Sequence, residues 1–300
     1  MNMGKRTRPT YAAHEVLVAQ ARSNPELWRL FAGLGLIVAV VIALNLVIFA
    51  FAAWVGSSAW AAGLLTGSTP FALLVLLASF AFVTVGVRMA VRQVHHRNLR
   101  SVLGPFPETL VQFWRVFRTL LLLGAVVAVL PPYDMGPELI SNTPLATWLM
   151  FLPLSLAAVL IQTSAEEILF RGYIQQSLAA RFRSPLIWIG VPSILFAAGH
   201  YAPGTAGSNA GLIALWSCMF GVLAADLTAR AGTLGPAIAL HFFNNIIALL
   251  LISLPDSLSS LALYVLPYDM SDTDVLRQWL LVDFAVMIVG WLAARLALRR

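Results

Sequence analysis

Long apolar runs recur along this chain, each about 20 residues in length and separated from the next by a short polar segment. A helix needs about 20 apolar residues to cross a hydrocarbon core of about 30 Å. The composition agrees with a lipid environment, since only 11% of the residues are charged, against about 25% in soluble domains. We therefore predict an all-α, polytopic membrane bundle of about eight transmembrane helices. The predicted spans are residues 30–54, 71–91, 112–130, 148–170, 186–203, 211–229, 234–254 and 277–298.

The basic residues are distributed unevenly among the connections between these runs. If the N-terminus is cytosolic, every Lys and Arg residue except Arg277 falls in a predicted inner segment, and the outer connections are neutral or acidic. Cytoplasmic loops of membrane proteins carry this excess of positive charge. The pattern predicts cytosolic N- and C-termini and a multi-pass protein integral to the cytoplasmic membrane. We expect the first apolar run to be retained as a helix, because it is long enough to span.

Composition also excludes several kinds of site. The net charge of +6 comes from short basic clusters between apolar runs, whereas nucleic-acid binding needs a basic face on a folded domain. We therefore expect the lipid bilayer, and no nucleic acid, as a partner. Cys218 is the only cysteine, which excludes an intrachain disulfide and a cysteine-based zinc site.

Two adjacent carboxylates stand near the end of the fourth predicted span. Ionisable residues in membrane helices are costly and are functional candidates by default. Glu167 and Arg171 are four residues apart, so they share a helix face and are expected to form an ion pair. Glu166 lies about 100° further round the helix and lacks such a partner, which leaves its carboxylate available for chemistry. The structural alternative is an interfacial ion pair beside an acid that reaches to the membrane surface.

Two histidines occur on later spans. Phe196 precedes His200 by one helical turn on the same face, so the phenyl ring can pack beside the imidazole. His241 and Asn245 are four residues apart and project together. Taken alone, each pair is also compatible with a structural role, as an interfacial histidine or as an interhelical hydrogen bond.

A turn at Ser184 and Pro185 predicts that the fourth and fifth spans form an antiparallel hairpin. Glu166 precedes Ser184 by 18 residues and His200 follows it by 16, so at about 1.5 Å per residue the two positions lie nearly level. Residues 172–183 are polar, and we expect them to protrude into the cytosol. The site would then be reached by cytosolic water.

Several other ionisable residues are interpreted as peripheral. His95 and neighbouring arginines predict an interfacial loop, and Asp226 with Arg230 predicts a surface ion pair. Asp283 lies in the last span and is expected to reach the outer headgroups.

At these motifs the chain resembles the CPBP family of intramembrane proteases, which includes the type II CAAX prenyl endopeptidases and the Abi-like proteins. The family pattern is E-E-x-x-x-R, F-x-x-x-H and H-x-x-x-N in that order. The chain matches every position with Glu166, Glu167, Arg171, Phe196, His200, His241 and Asn245. The resemblance covers about residues 146–250. It implies a catalytic transmembrane core at 146–254, after a cytosolic segment (1–29) and N-terminal transmembrane helices (30–145), and before an outer loop with the last helix (255–300).

The resemblance implies an endopeptidase in which Glu166 is the general base and His200 helps to position the attacking water. His241 and Asn245 would stabilise the oxyanion. Glu167 and Arg171 would hold the geometry, with Phe196 in support. Peptide hydrolysis requires a base for water and donors for the oxyanion, and this set of residues supplies both.

The use of a metal stays open at this stage. Glu166, His200 and His241 also make an ordinary hydrolytic zinc set, although the chain has no H-E-x-x-H sequence. A metal-free reaction makes better use of Asn245, whose amide is a poor zinc ligand, and of the second glutamate. We therefore prefer it, with no cofactor required.

The substrate class is a peptide or protein tail at the membrane, which the family suggests to be lipid-linked, although nothing in the sequence requires a prenyl group. Two alternatives remain, namely a non-proteolytic immunity-type scaffold and a small transporter. A transporter needs polar residues that continue to the outer face, and after His200 the fifth span offers only Tyr201 and Pro203. This favours a cavity open to one side.

Overall fold

The computed structural model describes residues 10–130, 138–255 and 258–299. Lys5, Arg6, Arg8 and Arg300, which enter the charge argument, lie outside these ranges. The α-helices are α1 (Glu15–Val18), α2 (Leu27–Val55), α3 (Ser58–Thr66), α4 (Pro70–Ser79), α5 (Ala81–Gln93), α6 (Leu99–Leu103), α7 (Phe106–Val129), α8 (Leu145–Glu167), α9 (Gln175–Arg181), α10 (Pro185–Gly199), α11 (Pro203–Ala206), α12 (Ala210–Ala231), α13 (Gly235–Ile246) and α14 (Thr273–Leu298). Two π-helical turns, Ile168–Ile174 and Ile247–Leu251, follow α8 and α13.

The predicted all-α membrane bundle is confirmed. Within the described residues, six helices are long and apolar enough to cross a membrane, namely Leu27–Val55, Pro70–Gln93, Leu99–Val129, Leu145–Arg181, Pro203–Ala231 and Thr273–Leu298. The fifth and seventh predicted spans correspond to shorter apolar helices, Pro185–Gly199 and Gly235–Leu251. Each predicted span therefore has a helix, while the crossing of the membrane by the two shorter helices and the orientation stay predictions.

One end of the bundle carries a small sheet of three two-residue strands. They are β1 (Ile140–Ser141), β2 (Ile252–Ser253) and β3 (Tyr264–Val265), with β3 central, antiparallel to β1 and parallel to β2. We call this the sheet end, because α8 begins and the second π-helical turn ends beside it. The opposite end, where α9 ends and α10 and α13 begin, is called the polar end.

The polar end is covered by an N-terminal segment, defined as residues 10–26. Its short helical turns bury Leu17 and Val18. The expectation that residues 172–183 protrude is wrong, since Gln175 and Gln176 are fully buried. Gln176 accepts a hydrogen bond from Arg97 and donates to the carbonyl of Val102, and the Gln175 amide donates to the carbonyl of Ala225. Both polar atoms of the Gln176 side chain and the amide nitrogen of Gln175 thus have partners, as buried polar groups usually do, whereas Oε1 of Gln175 has none among the described residues.

Two residues interpreted as peripheral are also buried. His95 is 3% exposed, and its Nε2 atom lies 2.9 Å from the hydroxyl of Tyr173. Asp226 is 6% exposed; it pairs with Arg230 and also accepts a hydrogen bond from the hydroxyl of Tyr11. The predicted pair of Asp226 and Arg230 is present. The peripheral placement of His95 and Asp226 is wrong, because tyrosines that are distant in the sequence pack against them.

The position of α13 depends on a close approach to α7. A Cβ atom on Gly235 would lie 2.1 Å from the carbonyl oxygen of Thr109, so only glycine permits this contact. Two turns further along, the ring of Phe242 lies 5.3 Å from that of Phe117 on α7. With Phe242 packed on α7, the preceding residue His241 is directed toward α8.

Candidate active site

Glu167 and Arg171 form the predicted ion pair. The Oε1 atom of Glu167 accepts a hydrogen bond of 2.9 Å from Arg171, and their side chains are 0% and 1% exposed. Arg171 lies in the π-helical turn after α8, and such turns are frequent at functional sites. A buried charge needs compensation. Here the local i, i+4 pair supplies it, as the sequence predicted.

His241 lies between the two carboxylates of α8. Its Nδ1 atom is 2.8 Å from Oε1 of Glu167, and its Nε2 atom is 3.5 Å from Oε2 of Glu166. The Glu167 carboxylate can only accept, so Nδ1 carries the shared hydrogen. The Glu166 oxygen has no hydrogen-bond partner, although it is buried. Within the described part of the chain, the Oε2 atom of Glu167 also has no hydrogen-bond partner, so the availability of Glu166 for chemistry stays a prediction.

His200 terminates α10 with one ring nitrogen engaged. Its Nδ1 atom lies 2.9 Å from the carbonyl oxygen of Phe196, to which it donates a hydrogen bond, and the imidazole is exposed. That bond fixes the tautomer and leaves Nε2 as a hydrogen-bond acceptor.

The ring of Phe196 lies close to three other side chains of the site. Its ring centroid lies 4.4 Å from that of His200, as predicted, and 5.9 Å from that of His241. The guanidinium of Arg171 stands 4.7 Å from the same ring, at a distance that gives a favourable cation–π interaction. One buried ring thus sets the spacing between the two histidines.

Asn245 is held by a residue that sequence reasoning missed. The amide nitrogen of Asn245 donates a 2.9 Å hydrogen bond to Oε1 of Gln162, which is 7% exposed. Gln162 lies one turn before Glu166 on α8. That i, i+4 spacing of a polar residue in an apolar span was the available signal. The bond leaves the second amide hydrogen of Asn245 free.

Protein covers the site on the side of the polar end. Residues 171–178 and 235–242 are all buried. His200, Ile161 and Ile247 are exposed. The expected access from the hairpin tip is wrong, because the N-terminal segment and α6 pack over that side.

Residues 147–247 match the family model described as Type II CAAX prenyl endopeptidase Rce1-like. The resemblance drawn from the motifs is confirmed. All of the site residues described above fall within the matched range.

One curated relative is similar to part of the chain. The "Uncharacterized protein YyaK" of Bacillus subtilis (strain 168) is 28% identical over 173 residues, which cover 55% of this chain and 56% of YyaK. The chain thus spans about half the length of the curated relative it matches. No solved structure matches the chain.

The alternative metal set of Glu166, His200 and His241 can be compared with the structure. Over the described residues, no three His, Cys, Asp or Glu side chains are grouped so that they could hold a metal ion. Glu166, His200 and His241 are therefore not grouped as a preformed three-ligand site.

Proposed function

We propose that this chain is an intramembrane endopeptidase that hydrolyses peptide bonds in membrane-associated or lipid-linked peptides of the cytoplasmic membrane. The observation that carries the proposal is the unequal pairing of the two carboxylates. Glu167 is fully buried and accepts hydrogen bonds from Arg171 and His241 through one oxygen. Glu166 is partly exposed and accepts none from the described residues; its Oε2 atom lies 3.5 Å from the same imidazole. A general base needs a free carboxylate oxygen within reach of a proton.

In the proposed reaction, Glu166 accepts a proton from a water molecule that also hydrogen-bonds to Nε2 of His200. The oxygen of that water forms a bond to the carbonyl carbon of the substrate, and the carbonyl electron pair moves onto its oxygen. When the tetrahedral intermediate collapses, the C–N bond breaks and Glu166 returns the proton to the leaving amine. One carboxylate therefore serves both steps and no redox partner is needed.

The oxyanion is stabilised by donors from α13. The free amide hydrogen of Asn245 supplies one, and an Nε2–H of His241 supplies the other. In this role the Nε2–H of His241 points to the substrate oxygen and not to Glu166, which lies 3.5 Å away.

The decisive experiment follows hydrolysis itself. Purified protein in lipid nanodiscs is incubated with peptide substrates, with and without a prenylated cysteine, in water enriched in oxygen-18. Mass spectrometry then detects cleaved products that carry the heavy isotope in the new carboxyl group. We expect Glu166→Gln and Glu166→Ala to lower the rate by about 10²–10⁴, the range for loss of a general base. Asp283→Asn, which removes a carboxylate of α14, serves as the matched control and should leave the rate unchanged.

Two results decide between the alternatives. Full activity of both Glu166 variants would refute the assigned base. Loss of wild-type activity on treatment with a chelator, with recovery on addition of zinc, would refute the metal-free version and favour the set Glu166, His200 and His241. Comparison of the prenylated and unprenylated peptides tests whether a lipid-linked substrate is preferred.

A further inference from the structure

A second cavity lies at the polar end, remote from the catalytic residues. It has a volume of about 600 Å³ and separates the N-terminal segment from the turn between α9 and α10. Tyr11, His14 and Arg22 line one side, and Arg181 and Arg183 line the other. We call it the N-terminal cavity.

The N-terminal cavity carries an excess of positive charge. Arg22 is paired with Glu15, which also lines the cavity. Within the described part of the chain, Arg181 and Arg183 have no acidic partner, and both are exposed. His14 does not add charge near neutral pH, because burial and the nearby Arg22 lower its pKa to about 4. Two arginines thus face a concave space with nothing to neutralise them.

The cavity also lies at the edge of the apolar surface. Leu186, one residue after the start of α10, is 84% exposed, as expected for a side chain in contact with lipid. Trp188 forms part of the cavity wall, with its ring 5.3 Å from that of Tyr11. Tryptophan and tyrosine are enriched at the level of lipid headgroups. The unpaired arginines therefore lie where phosphates of the bilayer are found.

We propose that the N-terminal cavity binds the phosphate of an anionic phospholipid headgroup, held by Arg181 and Arg183. Basic pockets at membrane helix ends bind anionic lipids in this way, and arginine offers a planar pair of donors to phosphate oxygens. A bound lipid bridges the N-terminal segment to the α9–α10 turn. The site is independent of the hydrolytic proposal, because none of its residues contacts the catalytic set.

The test measures lipid selectivity by native mass spectrometry. Purified full-length protein is equilibrated with equal amounts of phosphatidylglycerol and phosphatidylcholine in mixed micelles, and the ratio of the two bound lipids is recorded. The wild type should retain phosphatidylglycerol preferentially. Arg181→Gln/Arg183→Gln should reduce that preference roughly 30-fold, as expected for two arginines near a lipid surface. The double variant Arg88→Gln/Arg92→Gln, which removes two exposed arginines of α5 outside the cavity, is the matched control and should reduce the preference much less.

A second variant tests the cavity without a change of charge. Ala180 is half-buried in its wall, so Ala180→Phe should fill the space and also reduce retention of phosphatidylglycerol. An equal loss in the α5 control would show diffuse surface charge and overturn the proposal. Binding of inorganic phosphate without retention of phosphatidylglycerol would overturn it in favour of a soluble anion. Monodisperse elution and an unchanged Tm confirm that each variant is folded.

Discussion

The Nδ1 atom of His241 and the Oε1 atom of Glu167 lie 2.8 Å apart, across the contact between α13 and α8. The same carboxylate oxygen accepts the hydrogen bond from Arg171. One buried oxygen of α8 thus binds both α13 and the π-helical turn that carries Arg171. The second ring nitrogen of His241, Nε2, lies on the side of Glu166. The conformation of the catalytic pocket therefore depends on a glutamate that our proposal assigns no chemical step.

Replacement of Glu167, alone and together with Arg171, should show that its effect on Tm and its effect on cleavage have different causes. Glu167→Gln leaves the buried Arg171 uncompensated, and breaking a buried ion pair costs about 3–5 kcal/mol. We expect a lower Tm in detergent and little cleavage. In Glu167→Gln/Arg171→Met the unpaired charge is gone, so Tm should largely recover. Activity should not recover, because no carboxylate then accepts the hydrogen bond from Nδ1 of His241.

Measurement of both Tm and cleavage tests whether Glu167 positions His241. If the double variant regains both Tm and cleavage, the carboxylate of Glu167 has no effect beyond pairing with Arg171. If Glu167→Gln is as stable and as active as the wild type, the buried pair contributes nothing measurable and the assignment fails.

Gln162 should affect catalysis through Asn245. Gln162→Leu removes the acceptor of the 2.9 Å hydrogen bond from the Asn245 amide, so the amide is free to rotate away from the oxyanion. We expect kcat to fall about tenfold, equivalent to about 1.4 kcal/mol and typical of one hydrogen bond, with KM little changed. Thr163→Val is the control, since that buried hydroxyl bonds only to its own helix, at Val159 and Leu160. A rise in KM alone would place Gln162 in substrate binding instead.

The contrast between Gln162 and Arg171 shows which side-chain contacts can be predicted from the sequence alone. The pairing of Glu167 with Arg171, and the packing of Phe196 on His200, follow from i, i+4 spacing within one helix. Gln162 shares that spacing with Glu166, but its partner lies on α13. Such a contact depends on how two helices pack against each other, and the spacing of residues within one helix does not predict it.

The same limit explains the errors at the polar end. Gln175 and Gln176 suggested an exposed tip because polar residues are usually exposed. They are buried because the N-terminal segment packs against α9, while Arg97, Val102 and Ala225 supply their hydrogen bonds. The apolar runs, by contrast, were located correctly, since each requires only a local count of hydrophobic residues.

Asp226 should control the docking of the N-terminal segment. Its carboxylate accepts hydrogen bonds from Tyr11 at 2.8 Å and from Trp291 at 3.0 Å, besides its pairing with Arg230. Asn has one acceptor oxygen, so Asp226→Asn leaves at least one of these donors unsatisfied, at a cost of about 1–3 kcal/mol. We expect local opening and faster tryptic cleavage after Arg22, which is exposed.

The control for this measurement is Glu26→Gln, which removes a half-exposed partner of Arg29 and should leave the cleavage rate near that of the wild type. Equal protection of Arg22 in Asp226→Asn and the wild type would show that other contacts hold the segment in place.

Two buried histidines outside the membrane spans should make folding sensitive to acid. Burial lowers the pKa of His14 to about 4, with a contribution from Arg22. Burial, with a contribution from Arg97, lowers the pKa of His95 to about 4. Both histidines are therefore neutral in the folded chain at pH 5, whereas an unfolded chain protonates them below about pH 6.5.

Because the unfolded state binds more protons, stability is complete above about pH 6.5 and is lost as the pH falls toward 4. At pH 5 the loss is about 2 kcal/mol per histidine. Thermal unfolding of the wild type should therefore show a Tm that falls between pH 7.5 and pH 5. In His14→Gln/His95→Gln that decrease should be much smaller, whereas His96→Gln, which replaces an exposed neighbour, should retain it. A decrease of the same size in the double variant would mean that carboxylates elsewhere, and not these imidazoles, link folding to pH.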